Sequence, residues 1–198
     1  MAFDINNFKS NGLALGGARP SMFDITLTFP SFVPAVGLNA TGSSATASSA
    51  QKLSFMAKAS SIPPSSVDDI QVPYFGRMIK YAGDRTYPDW EITVLNDEDY
   101  ALRRAFETWS DRINQAILNT MTPAAFPVSY KTDAQVTAYG KSGNIIAEYA
   151  FQGMWPKLVV PMPLDWGMQN TIQDFGVTLA YDLWTLGGNA QGSGTSGF

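Results

Sequence analysis

From Gly83 to Asp97 the chain reads Gly-Asp-Arg-Thr-Tyr-Pro-Asp-Trp-Glu-Ile-Thr-Val-Leu-Asn-Asp, and no other stretch limits its folding options as tightly. The order spells a polar Gly-Asp turn, then a strand, then a helix start. Trp90, Ile92 and Val94 fall on one face of the strand, with Glu91 and Thr93 on the other. Asn96 can cap a helix, and Asp97, Glu98 and Asp99 occupy a first turn, where the helix dipole favours anions. Leu102, Phe106, Trp109, Ile113 and Ile117 then make one apolar stripe, which predicts an amphipathic helix from about Asp97 to Asn119. Arg103 and Glu107 are an i,i+4 pair on that helix, and Pro123 prevents much continuation.

Strand patterns flank this unit. Phe23, Ile25, Leu27 and Phe29 alternate with Asp24, Thr26 and Thr28 until Pro30. Leu53, Phe55, Ala57 and Ala59 suggest a second strand. Ser60 to Asp69, with Pro63-Pro64 and Asp68-Asp69, suggests an extended turn or arm, and Tyr74 to Tyr81 a further strand. Asp133 to Tyr139 and Ile145 to Phe151 pattern as strands around a Gly140 to Asn144 hairpin loop. Phe175, Val177, Leu179, Tyr181 and Leu183 share one face of a last strand. Many strands and one amphipathic helix predict a mainly β protein: a barrel or sandwich with the helix at its flank. A single domain spans 1–186. It has a Gly-containing N-terminal arm over 1–18 and an Ala/Ser/Thr insertion over 39–50 that carries no charge; both are expected to be flexible. A Gly/Ser-rich tail follows over 187–198.

Composition removes whole classes of chemistry. The 198 residues include neither Cys nor His. That excludes disulfides, thiolate nucleophiles, zinc-thiolate sites, His-ligated metals and any Ser-His-Asp arrangement. Met1 to Ile5 lacks the basic and apolar regions of a secretory signal, and the apolar run at Leu158-Val159-Val160 is broken by Pro156, Pro161 and Pro163. Net charge is −4, against a dedicated nucleic-acid clamp. Only 15% of residues are charged, while 45% are hydrophobic; so neutral a surface is suited to being covered.

Candidate sites have plain alternatives. Asp97-Glu98-Asp99 could take a divalent cation, but capping and dipole complementarity explain it as well. Asp68-Asp69 lacks the spaced oxygen ligands of an EF-hand and reads as a solvated loop. Asp165 with Asp174, or Glu91 with Glu148, could be a glycosidase pair only at a separation of ~5–9 Å, which sequence does not fix. Gly187 to Gly192 has glycines but no following helix for a phosphate loop. Tyr149, Trp155, Trp166, Tyr181 and Trp184 suit a core or subunit interface, or else a sugar-stacking platform. Asp84-Arg85 fits either a salt bridge across a protomer boundary or an ordinary turn.

The string from Ala82 to Trp109, above all Gly83-Asp84-Arg85-Thr86, Asp89-Trp90 and Asn96-Asp97-Glu98, resembles the tail tube protein family of contractile-tailed bacteriophages. Supporting pieces occur in matching order: Ala18-Arg19-Pro20, Gly153-Met154-Trp155-Pro156, Leu164-Asp165-Trp166, and Ile172-Gln173 before Phe175. The resemblance implies no enzyme and no cofactor. It implies a structural protein of the virion tail, assembled in the host cytoplasm, whose hexameric rings stack into a tube that conducts DNA and templates the sheath. Its implied partners are further copies of itself, the sheath protein, and the baseplate and tail terminator proteins. DNA would pass through the lumen without sequence-specific binding, and no membrane is involved. On that footing Leu102, Phe106, Trp109 and Ile113 form the core face of the helix. Asp68, Asp69, Asp84 and Arg85 are candidate inter-protomer or ring contacts, and Asp133 and Glu148 candidate acidic groups of the lumen. The small face Ala134, Val136 and Ala138 suits a water-filled lumen better than a core. The alternatives are a baseplate tube-initiator of the same fold and a carbohydrate-binding β-sandwich. The Ala/Ser/Thr insertion and the Gly/Ser tail depart from the family pattern.

Overall fold

The structure, a computed structural model, describes residues 9–10, 17–33, 45–120 and 126–187. Most of the 1–18 arm, positions 39–44 of the insertion and positions 188–198 of the tail lie outside these residues.

Among the described residues the elements run in the order β1 (Phe23–Leu27), α1 (Ala45–Met56), β2 (Ala57–Ser60), β3 (Ser66–Tyr74), β4 (Arg77–Thr86), β5 (Trp90–Leu95), α2 (Ala101–Ile113), α3 (Pro127–Tyr130), β6 (Thr132–Tyr139), β7 (Ile145–Val159), β8 (Asp174–Ala180) and β9 (Leu183–Leu186). Seven strands pair antiparallel in the order β1-β6-β7-β8-β5-β2, with β9 also on β7. The 15-residue β7 joins two layers. Its first part pairs with β6 and β9, and its last part, from Trp155 to Val159, pairs with β8. The layers change over near Gly153, whose φ of 69° L side chains rarely adopt. Trp90 of β5 stacks on Phe151 of β7 with ring centroids 4.6 Å apart, which closes one layer on the other.

The strand alternation of β5 is as the sequence predicts: Trp90, Ile92 and Val94 are buried. The same holds for Ile25 and Leu27 of β1 and for Phe175, Val177 and Leu179 of β8. Helix α2 lays Leu102, Phe106 and Trp109 into this core, with Ile113 partly buried against it. Phe29 meets the Phe106 ring at 5.2 Å, and the Trp109 indole Nε1 donates to the Tyr130 carbonyl at 2.9 Å.

Several expectations are corrected. Helix α2 begins at Ala101, four residues after Asp97, and its N-cap is Tyr100, in the left-handed region at φ 53°. Asn96 turns instead to Gln173, donating to its Oε1 at 3.1 Å. The helix stops at Ile113, so Ile117 is off the stripe and fully in solvent. Asp111 Oδ1 accepts from the Ala116 N–H at 3.2 Å, and Asn114 Nδ2 donates to Asn119 Oδ1 at 2.8 Å. Such side-chain bonds offer the backbone an alternative to another helical turn. Leu53 and Phe55 belong to α1 rather than to a strand; Leu53 is buried and Phe55 exposed. The last six positions of the 39–50 segment are therefore helical in backbone. The Gly83-Asp84 pair lies inside β4, not in a turn; the turn comes earlier, at Phe75-Gly76 between β3 and β4. Finally, Ala134 and Val136 face the core, not an open channel. Ala134 lies opposite Phe151 and Val136 opposite Tyr149, so each small residue makes room for a ring.

Candidate assembly surfaces

Three surfaces of this fold are unlike an ordinary solvated exterior. The first is the β3–β4 hairpin, a two-stranded sheet on its own. None of its strand residues is buried, although Val67, Ile70, Val72, Met78, Ile79 and Tyr81 are all large and apolar. An isolated hairpin is marginal in water, and an apolar one with two free edges needs covering. At its tip Tyr74 and Phe75 pack edge to face at 4.8 Å, both exposed.

All four candidate contact residues lie on this hairpin. The pairing passes from Val67–Arg85 to Asp69–Ala82, so Asp68 faces both Gly83 and Asp84 in a β-bulge. A Cβ on Gly83 would sit 2.9 Å from the Asp68 carbonyl oxygen, which explains the glycine. Asp69 takes Lys80 at 2.8 Å and accepts from Gln71 Nε2 at 3.1 Å. Lys80, and then Gln71, hold its carboxyl below the usual range. The structure does not join Asp84 to Arg85 in a salt bridge, and among the described residues Arg85 has no ion pair.

The second surface is the outward face of the β1-β6-β7-β9 layer. The registers Asp24–Thr137, Thr26–Gln135, Thr137–Glu148, Gln135–Ala150 and Ala150–Thr185 put these side chains on the face opposite the core, where Thr137 is buried among its neighbours and the Asp24 carboxylate accepts from the Ser54 hydroxyl of α1. Asp133 shares it, its carboxylate accepting from the Gly153 N–H at 3.3 Å. Glu148 lies beside Gly187, whose N–H donates to the Glu148 carbonyl at 2.7 Å. Asp133 and Glu148 thus share a face, on the adjacent strands β6 and β7. Across its strands this face carries Asp24, Asp133 and Glu148 and no Lys or Arg.

The third surface is the loop 161–173 between β7 and β8, which exposes Leu164, Trp166, Met168 and Ile172. Leu164-Asp165-Trp166, one of the pieces that carry the family resemblance, falls in this loop. Trp166 is fully exposed, Tyr181 is buried, and Tyr149, Trp155 and Trp184 are partly buried against the core. These five do not form one platform.

Inside the fold, a clamp escaped sequence reasoning. Lys52 of α1 is buried and reaches Asp97 at 2.9 Å and Asp99 at 3.0 Å. Burial pushes its ammonium pKa down, but hydrogen bonds to Asp97 and Asp99 and their charges outweigh this and leave it above the ordinary lysine value. Asp97 is held below the usual carboxylate range, first by Lys52 and then by the Glu98 N–H. The acidic run thus anchors α1 to the entrance of α2. The one usable signal was a lone lysine beside an otherwise uncharged Ala/Ser/Thr segment.

Comparison with known proteins points one way. The family model described as phage tail tube protein matches residues 18–186. The chain is 34% identical over 168 residues to the tail tube protein gp19 of Enterobacteria phage T4, covering 84% of this chain and 90% of that one. It is 25% identical over 178 residues to the tail tube protein of Serratia phage KSP90, covering 89% and 93%. In fold it is similar to a chain of the anti-feeding prophage baseplate, with TM-score 0.59 at 12% identity over 87% of this chain and 97% of that one. A chain from the cap that terminates the same prophage's tube gives 0.53 at 15% identity, over 86% and 91%.

Proposed function

This chain belongs to the phage tail tube protein family, a structural component of the virion tail and not an enzyme, and we propose that its copies close into hexameric rings that stack into the inner tube. The observation that carries the proposal is the β3–β4 hairpin: a two-edged ribbon with exposed apolar side chains, none of whose strand residues is buried by the other described residues. Contact between copies removes its free edges and buries its side chains.

We further propose that the outward face of the β1-β6-β7-β9 layer lines the lumen and that the tube conducts DNA during ejection. A wall contacting DNA through Lys or Arg would release counterions and bind the cargo regardless of its sequence. A face holding Asp24, Asp133 and Glu148 without a cation lets DNA slide. The sheath protein assembling on the outside, and the baseplate and terminator proteins at the two ends, complete the expected partners.

Electron microscopy and sedimentation of the concentrated, purified protein test this. Tubes or stacked rings are the expected result. Strict monomers under every salt condition would sink the proposal. Single rings that never stack would favour a tube-initiating baseplate role, and retention on immobilised glycans a carbohydrate-binding one.

A further inference from the structure

We propose that the loop 161–173 receives the β3–β4 hairpin of a second copy, with Arg77 at the hairpin tip meeting Asp165 of that loop. The inference rests on the self-assembly reading and specifies where the contact falls.

Topology comes first. The hairpin is rooted at the start of β5: Thr86 leads into Trp90, whose Nε1 donates to the Ser61 carbonyl at 2.8 Å ahead of β3. The loop 161–173 sits at the other end of the same strand, because Asp174 pairs with Leu95 and the Asn96 N–H donates to the Gln173 carbonyl at 2.8 Å. The two features leave from opposite ends of one strand, and within the chain both stay exposed. Between chains they match head to tail, a heterologous contact that repeats in one direction and builds rings or filaments. Reach is ample: strands of nine and ten residues extend about 30 Å at ~3.3 Å per residue.

Chemistry then matches tip to loop. Tyr74, Phe75 and Met78 are exposed at the tip, and Leu164, Trp166 and Met168 on the loop. A cleft of about 350 Å³ opens beside the latter, between Lys58, Leu164, Asp165, Met168, Ile172 and Asp174, room enough for an inserted side chain. The local charges are opposite. Lys80 is neutralised by Asp69, which leaves Arg77 as the tip's cation; no described carboxylate pairs with it. On the loop side Lys58 is bound to Asp174. Asp165 meets no described cation and only accepts from the Gly167 N–H at 2.8 Å. Burying apolar surface around one bidentate Arg–carboxylate pair gives the contact both strength and register.

Charge exchange in the full chain tests this. Arg77→Glu and Asp165→Arg should each leave thermal unfolding unchanged, since both residues are exposed, and each should raise the protein concentration needed for polymer formation about tenfold or more. The double variant should restore assembly. Because the chain has no cysteine, a Phe75→Cys, Leu164→Cys variant gives a second readout: oxidation should yield a ladder of cross-linked oligomers. Wild-type tubes with single variants that assemble normally, a double variant no better than either single, or an oxidised product of monomer size would overturn the contact alone. A wild-type chain that never polymerises would overturn the self-assembly reading, and the contact with it.

Discussion

Trp109 joins three parts of the molecule at one position. Its ring meets Phe29 at 5.8 Å and Phe106 at 6.3 Å, and its indole N–H holds the Tyr130 carbonyl. Trp109→Ala should cost about 3–5 kcal/mol through the cavity it leaves, read as a lower urea midpoint at unchanged slope. Trp109→Phe keeps much of the packing and removes the donor, and should cost less. Equal losses in both would mean that the hydrogen bond, not the cavity, dominates. Lys52 gives a pH signature. Asp97 has a depressed folded pKa, so its contribution is complete above the ordinary aspartate value of about 3.9 and disappears as pH falls through the lower folded value. Lys52 has a raised pKa; its contribution is complete below the ordinary value of about 10.4 and disappears as pH rises through the folded one. Lys52→Met should therefore flatten the fall in melting temperature in acid below about pH 4 and again in strong alkali. A profile parallel to wild type would show that the clamp is not coupled to folding.

Among elements, the hairpin separates folding from assembly most sharply. No residue of β3 or β4 is buried, and among the described residues the two strands pair only with each other. Replacing residues 66–86 with a short Gly/Ser linker should leave the far-ultraviolet circular dichroism β signal of the body and its melting temperature nearly unchanged while abolishing polymers in sedimentation. Loss of the folded monomer would show that the hairpin supports the body after all. What could be read from the sequence at this scale follows from burial. The period-two strands β1, β5 and β8 and the stripe from Leu102 to Ile113 were legible because each presents one face to the core. The hairpin was legible only in part, as a strand from Tyr74 to Tyr81: its register gathers Ile70, Val72, Ile79 and Tyr81 on one face and Asp69, Gln71 and Lys80 on the other, but neither face is buried, and Pro63-Pro64 and Gly83 read as breaks. Helix boundaries were misread where Asn96, Asp111 and Asn114 bond sideways rather than along the helix.

For the whole molecule, the decisive question is which face looks inward. Every copy would add Asp24, Asp133 and Glu148 to the proposed channel. Asp133→Lys with Glu148→Lys should still permit tubes, since neither side chain is in the core, yet should slow DNA release from particles, most at low salt. Unchanged ejection kinetics with intact tubes would remove both residues from the mechanism. The acidic positions were visible in the sequence, but their face was assigned from the wrong neighbours. Ala134 and Val136 look too small for a core until Phe151 and Tyr149 are seen opposite them.

The length of β7 has a mechanical corollary. One backbone of 15 residues serves both layers and is bonded laterally to β6, β9 and β8. A pull along it loads many of those bonds together in shear, instead of breaking them singly from a loose end. In the proposed tube each protomer would then act as a stiff bead. Bending and stretching of such an assembly would concentrate in the joints between beads, so its compliance would be set by exposed side chains and could change without touching the fold.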